Sequence, residues 1–463
     1  MIRTPPPPAI MAALLGAAVF AALLGVRELS FAFGPGTTTD DHPWRLLVAL
    51  LIGAGLLWTA LVPVLKRMGA TRLPLWAIVL SGLALRALFF GSQPIYENDF
   101  NRYLLDGAVA AQGLNPYASS PAEALASDDA RVAELVRQSD GLVTDINNAT
   151  LTTIYPPTAQ AAFALAHVVS PFSRDALRFV FLLSELAALL LLARALPGFG
   201  RSANWALLYA LCPLAAFAGF NTMHMDLLLA PFLLGALLLI RARPALAGLS
   251  LALAAGVKIW PLLLAPVLFR RWFDRPARLA LFAALVGTAS LILFAPLLLA
   301  LGGDSGLQAY SVGWNRSAFL FPRIEAALSY HSDDPGRMAR LLVAAALGSG
   351  AILLGWMTRD HDDTTLPAAL LAVTAALLFL SPTGYPWYAV WLVPFLPFAP
   401  RYGLALLATL VALHYSRFAF GEAGNYGVYL DVLVPIQFGV PLLVLALESF
   451  TRKERRHAAP LAA

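Results

Sequence analysis

Long apolar runs recur along the chain at residues 9–26, 45–65, 73–91, 176–192, 203–219, 227–240, 279–301, 341–357, 366–380, 385–399, 403–416 and 428–447. A bilayer core about 30 Å thick needs about 20 apolar residues per helix, so the pattern predicts twelve membrane crossings. A further apolar stretch, 245–269, is interrupted by Lys258, Trp260 and Pro261 and reads as two short helices meeting at the lysine. Counting both gives fourteen. The expected fold is all-α: a polytopic helical membrane bundle of 12 to 14 helices, one unit over residues 1–463. The run at 156–169 is the exception. It is too short to cross, follows Tyr155-Pro156-Pro157 and ends before Pro171, which predicts an interfacial or re-entrant helix.

Charge fixes the expected direction. With the N-terminus in the cytoplasm, the basic groups at Lys66, Arg67, Arg72, Arg194, Arg201, Arg241, Arg243, Arg270, Arg271, Arg275, Arg278, Arg359, Arg401 and the 449–463 tail all fall inside. The tail is then a short basic end suited to anionic lipid headgroups. Arg3 ahead of the first run and Ser30-Phe31-Ala32 after it also resemble a signal peptide, and its removal would leave the later orientation unchanged. The long polar segment 92–175 and a second loop at 302–337 then lie outside. The expected location is the cytoplasmic (inner) membrane, with polar chemistry facing the periplasm or exterior.

Composition narrows the classes. Only 13% of the 463 residues are charged and 59% are apolar, with mean hydropathy +0.71, against about 25% charged in soluble domains. A cytosolic catalytic domain and a nucleic-acid partner are excluded. The single cysteine, Cys212, can form no intrachain disulfide. No glycine-rich phosphate cradle appears.

Candidate chemistry collects in the 92–175 loop. Asp99, Arg102, Tyr103 and Asp106 recur at helical spacing on one stripe, opposite Phe100, Leu104 and Ala108, which suits a helix lying at the membrane surface. A second helical piece is expected over 121–138, opened by Ser120, Pro121 and Glu123. An inverting sugar transfer needs a carboxylate to take the proton of the attacking hydroxyl. Asp99 fits, with Arg102 one turn on to keep it ionised. The structural alternative is that Asp99 or Asn98 caps the helix.

The strings Asn98-Asp99-Phe100-Asn101-Arg102-Tyr103-Leu104-Leu105-Asp106-Gly107, Gly113-Leu114-Asn115-Pro116-Tyr117 and Ile154-Tyr155-Pro156-Pro157 resemble the first outer loop of bacterial GT-C glycosyltransferases, the mannosyltransferase branch most closely. Asn221 to Asp226, Gly256-Val257-Lys258-Ile259-Trp260-Pro261, Trp314-Asn315-Arg316-Ser317 and Ser381-Pro382-Thr383-Gly384-Tyr385-Pro386-Trp387-Tyr388 extend the likeness. The resemblance implies an active site at the outer membrane face, a polyprenyl-phosphate sugar donor entering from the bilayer, mannose as the sugar, and a lipid or glycan acceptor. It makes Asp99 the base. Many such enzymes carry two adjacent acids there; this chain has Glu97, Asn98 and Asp99, so no metal and no other cofactor is expected.

Beside Asp99, the expected substrate-binding set is Arg102, Tyr103, Asp106, Tyr155, Asn221, His224, Asp226, Lys258, Asn315, Arg316, Tyr385 and Tyr388. Lys258 would hold the donor phosphate; otherwise it snorkels to an interface. His224 and Asp226 lack metal-ligand spacing and read equally as loop residues. The forks of Arg316 and Arg323 suit phosphate, although a solvated loop arginine is the commoner outcome. Tyr385 and Tyr388 could stack on sugar; Trp387 reads as interface belt. Arg86 is expected to pair with Glu185. The rival class is a transporter or flippase of a lipid-linked sugar, which broken helices and a buried lysine also fit.

Overall fold

The computed structural model describes residues 6–34, 42–69, 71–300, 306–314 and 317–458. Among these residues there is no β-strand, and helices of very different lengths build one bundle. Eight are long and apolar enough to cross a membrane: Pro8–Phe33, Trp44–Arg67, Arg174–Phe199, Pro276–Leu299, Pro335–Met357, Asp363–Leu380, Tyr402–Gly421 and Tyr426–Thr451. The pair Ala203–Ala210 and Pro213–Asn221, bent by 51°, makes a ninth if it is one span. Three more apolar helices, Leu75–Ala87, Met225–Leu239 and Pro244–Ala255, are shorter. The expected 12 to 14 crossings therefore resolve into eight or nine full-length candidates plus these short helices. The chain is an all-α, multi-pass membrane protein.

Helix breaks have identifiable causes. The run at 385–399, expected to cross as a helix, is instead a 3₁₀ turn at Pro386–Leu392 followed by further turns, buried almost throughout. Pro386, Pro394, Pro397 and Pro400 remove the amide donors that an α-helix would need. Irregular backbone at membrane depth is tolerated where protein surrounds it. At 244–268 the expected two pieces appear: Pro244–Ala255 ends before Lys258, and Trp260–Leu264 resumes as 3₁₀ beyond it.

The helix Asp99–Ala111 corrects a second expectation. Phe100 to Ala108 are all buried, so it is no membrane-surface helix. It packs along Pro157–Val169, which at 13 residues is too short to cross, as its length predicted. The two approach so closely that a Cβ on Gly107 would stand 2.4 Å from the Phe163 carbonyl oxygen. Beyond it, 121–138 splits into Pro121–Leu125 and Ala130–Gln138. The first opens with the expected signal: Ser120 Oγ accepts from the Glu123 amide, and Glu123 accepts from the Ser120 amide at 2.7 Å.

Buried polar groups pin the bundle. Arg86 Nε donates to Glu185 Oε2 at 2.6 Å, both side chains fully buried, and Arg86 also donates to the Ala210 carbonyl. A charge at this depth needs such partners. Aliphatic side chains of Pro276–Leu299 and Pro335–Met357 are left outward-facing, Leu291, Ile292 and Leu341 among them, as lipid-exposed helices allow.

Candidate active site

A cavity of about 1180 Å³ opens where the 92–175 segment meets the broken helices, above the roughly 300–1,000 Å³ of ordinary small-molecule sites. Asp99, Arg102, Tyr103, Tyr155, Asp226, Lys258, Tyr385 and Tyr388 all line it. Eight of the expected residues, separated by up to 289 positions, thus share one chamber.

Three anchors set the position of Asp99. Arg178 donates to the Phe220 carbonyl at 2.7 Å and to the Ser92 carbonyl at 3.0 Å. Asn221 Oδ1 accepts from the Ile95 amide at 3.1 Å, and its amide nitrogen donates to the Gln93 carbonyl at 2.9 Å. Asn221 is therefore not a cavity residue; it holds the segment that leads into Asp99. Asn98 occupies the N-cap without a side-chain capping bond and donates instead to the Asp145 carbonyl.

Lys258 is placed by the opposite wall. The Thr158 amide, at the start of Pro157–Val169, donates to the Gly256 carbonyl at 2.8 Å. A Cβ at Gly256 would fall 2.1 Å from Thr158 Oγ1, so this junction requires glycine. Lys258 Nζ then reaches Asp226 Oδ1 at 2.8 Å and lies 4.0 Å from the Tyr388 ring centre. Trp391 Nε1 donates to the same Asp226 oxygen at 2.6 Å, fixing the carboxylate that holds the lysine.

The charge environment of Asp99 differs from the expected one. Arg102 does not pair with it; its Nε meets Asp106 at 3.1 Å, and its Nη2 donates to the Leu151 carbonyl. Asp106 lies behind the cavity wall, buried, and also accepts from Gln160 at 3.0 Å. Burial pushes the Asp99 carboxyl above the usual aspartate range, the Lys258 ammonium pulls it back, and Asp226 pushes it up again. His224 is buried against Trp387, ring centres 3.6 Å apart, with Nδ1 3.9 Å from Asp99 Oδ2. Burial and Lys258 hold its imidazole well below the usual histidine range, so it faces Asp99 as a neutral ring. Trp387 is accordingly a buried wall residue, stacked on Tyr385 as well, and not part of an interface belt.

Sequence reasoning missed Glu97, Tyr310, Arg417, Phe418 and Tyr426, all of which line the cavity. Tyr310 hydroxyl meets Tyr388 hydroxyl at 2.8 Å. Burial, with Asp99 adding and Arg417 opposing, pushes Glu97 up to about 7. The adjacency of Glu97 to Asp99 was visible; the partner Arg417, 320 positions away, carried no local signal. Asn315 and Arg316 lie outside the described residues, and Arg323 is exposed and bonded to the Phe319 carbonyl. Among the described residues no three His, Cys, Asp or Glu side chains are grouped as for a metal ion.

The arrangement can hold an anion at Lys258, present a carboxylate to a hydroxyl, and shield both with aromatic walls. Residues 9–274, more than half of the chain and including Asp99, Asp226 and Lys258, match the family model of the alpha-(1->6)-mannopyranosyltransferase N-terminal domain. The chain belongs to that family. It is a membrane glycosyltransferase of the mannosyltransferase type. Asp99 and Lys258 both fall within the matched region, whereas Tyr385, Tyr388 and Arg417 come from the part beyond it. No curated protein matches the sequence.

Proposed function

We propose that the cavity transfers one mannosyl group from a polyprenyl-phosphate donor to the primary hydroxyl of an acceptor sugar, on a lipid or glycan, at the extracytoplasmic face of the inner membrane, forming an α-(1→6) bond. The observation that carries this reading is the convergence of Asp99 and Lys258 in one chamber with an apolar flank. That flank is Ile259, Phe294, Leu297 and Leu307; Ile259 is half exposed, and Leu298 and Leu299 beyond it face outward. A polyprenyl chain fits such a flank while its phosphate reaches the lysine.

In the reaction, the acceptor oxygen attacks the anomeric carbon as the bond from that carbon to the phosphate oxygen breaks. The hydroxyl proton passes to Asp99, and the electron pair leaves on the polyprenyl phosphate. Lys258, with N–H donors to spare beyond its bond to Asp226, stabilises the growing phosphate charge. A single displacement inverts the anomeric centre, so an α product requires a β-linked donor. Tyr385, stacked by one face on Trp387, lines the cavity where its other face can meet the sugar, while Tyr388 is held between Lys258 and Trp391.

The test is a donor panel. Purified full-length protein is incubated with polyprenyl-phosphate mannose, polyprenyl-phosphate glucose and a mannose nucleotide, each with a mannoside acceptor. Consumption of the polyprenyl-phosphate mannose alone, with an α-(1→6) product, is expected. Consumption of the nucleotide donor instead would overturn the reading.

A further inference from the structure

We propose that Glu97, Arg417, Tyr96 and Phe418 form the subsite that binds the acceptor sugar, a neutral hexopyranose whose free primary hydroxyl then reaches Asp99. The proposal rests on the transfer reading above and assigns one end of the same cavity. Lys258 stands beside the apolar flank, where an anionic and lipidic donor belongs. At the Glu97 end an acid and a guanidinium stand side by side over aromatic rings, a setting suited to a hydroxyl-rich ring.

Geometry points the same way. Arg417 Nη2 stands 3.6 Å from Glu97 Oε1, too far for a direct hydrogen bond. Both Glu97 Oε1 and Arg417 Nε are buried without a hydrogen-bond partner. Orphaned polar groups of this kind call for a ligand or water. A sugar hydroxyl is both donor and acceptor, so it can donate to Glu97 and accept from Arg417 at once.

Below the pair lies an aromatic floor. Tyr96 and Phe418 have ring centres 3.6 Å apart, Trp44 stacks on Phe418 at 4.6 Å, and the Arg417 guanidinium sits 4.5 Å from the Phe418 ring centre. Tyr96 leaves about half of its surface (51%) open, a π face to which the C–H groups of a pyranose can bind. Its backbone has φ +63°, a left-handed conformation rare for a non-glycine residue. Such strain persists where surrounding structure holds a residue for a task. Glu97 precedes Asp99 by two residues, so a sugar docked here lies next to the base.

The test uses the full chain in detergent, with α-(1→6)-mannobiose as the probe in saturation-transfer difference NMR, alongside transfer kinetics. Wild type is expected to give a disaccharide signal that Arg417→Lys and Tyr96→Ala lose, while Arg323→Lys, outside the cavity, retains it. In transfer assays the first two variants should raise the acceptor KM about tenfold and leave the donor KM unchanged. Glu97→Gln, nearly isosteric, is a second variant should Tyr96→Ala fail to fold. No signal from wild type, or an undiminished signal in the Arg417 and Glu97 variants, would overturn the subsite. Working transfer with acceptor KM unchanged in these variants would overturn the subsite and leave the transfer reading standing. A signal lost in Arg417→Lys, with no polyprenyl-phosphate donor consumed, would overturn the transfer reading and leave the sugar site standing.

Discussion

Replacing Asp99 by Asn is expected to lower kcat about a thousandfold, within the 10²- to 10⁴-fold range of general-base help, with donor KM little changed. Asparagine keeps the shape and still hydrogen-bonds, so the fold should persist; what disappears is the ability to take a proton. The same carboxylate sets the pH profile. Asp99 must be ionised to act, and burial raises its pKa, with Lys258 opposing and Asp226 adding. Wild-type kcat/KM should therefore fall as pH is lowered, along a limb displaced upward from the ordinary aspartate range, and the residual activity of Asp99→Asn should lack that limb. Full activity in the variant would remove Asp99 from the mechanism.

Lys258→Met carries the second largest expected effect, a fall in kcat of about a hundredfold, as when one charge-stabilising donor is removed. The donor KM should rise too. Loss of the ammonium also removes the group that lowers the Asp99 pKa, so the acid limb should move to higher pH. The variant strands the buried Asp226 carboxylate, which among the described residues keeps only its bond from Trp391, and stability should fall. The double variant Lys258→Met/Asp226→Asn separates the two effects: stability should return and activity should not. Recovery of activity in the double variant would show that Lys258 serves the fold alone.

Much of this fold was legible because membranes impose length and polarity rules that local sequence reports directly. The run at 156–169 was too short to cross, and Lys258 marked a break because an ammonium and a proline cannot continue an apolar helix. Arg86 had to find an acid, and Glu185 was the buried one. The 385–399 run misled because hydropathy does not register missing amide donors: three prolines within it and Pro400 just after it turned an expected span into one 3₁₀ segment followed by turns. The stripe from Asp99 to Asp106 gave the face and not the pairing. Arg102 has an acid three residues before and four after, and only packing against Leu151 and Gln160 selects Asp106. Glu97 and Arg417 were illegible as a pair, since nothing local to either encodes a contact across 320 residues.

The most direct measurement of the central claim is an experimental structure of the protein with a non-transferable phosphonate analogue of polyprenyl-phosphate mannose. The phosphonate is expected at Lys258, with the anomeric carbon facing Asp99 and the lipid chain leaving past Ile259, Phe294 and Leu297. A phosphonate seated away from Lys258, or a ligand lying in a path open to both sides of the membrane as in a flippase, would contradict it.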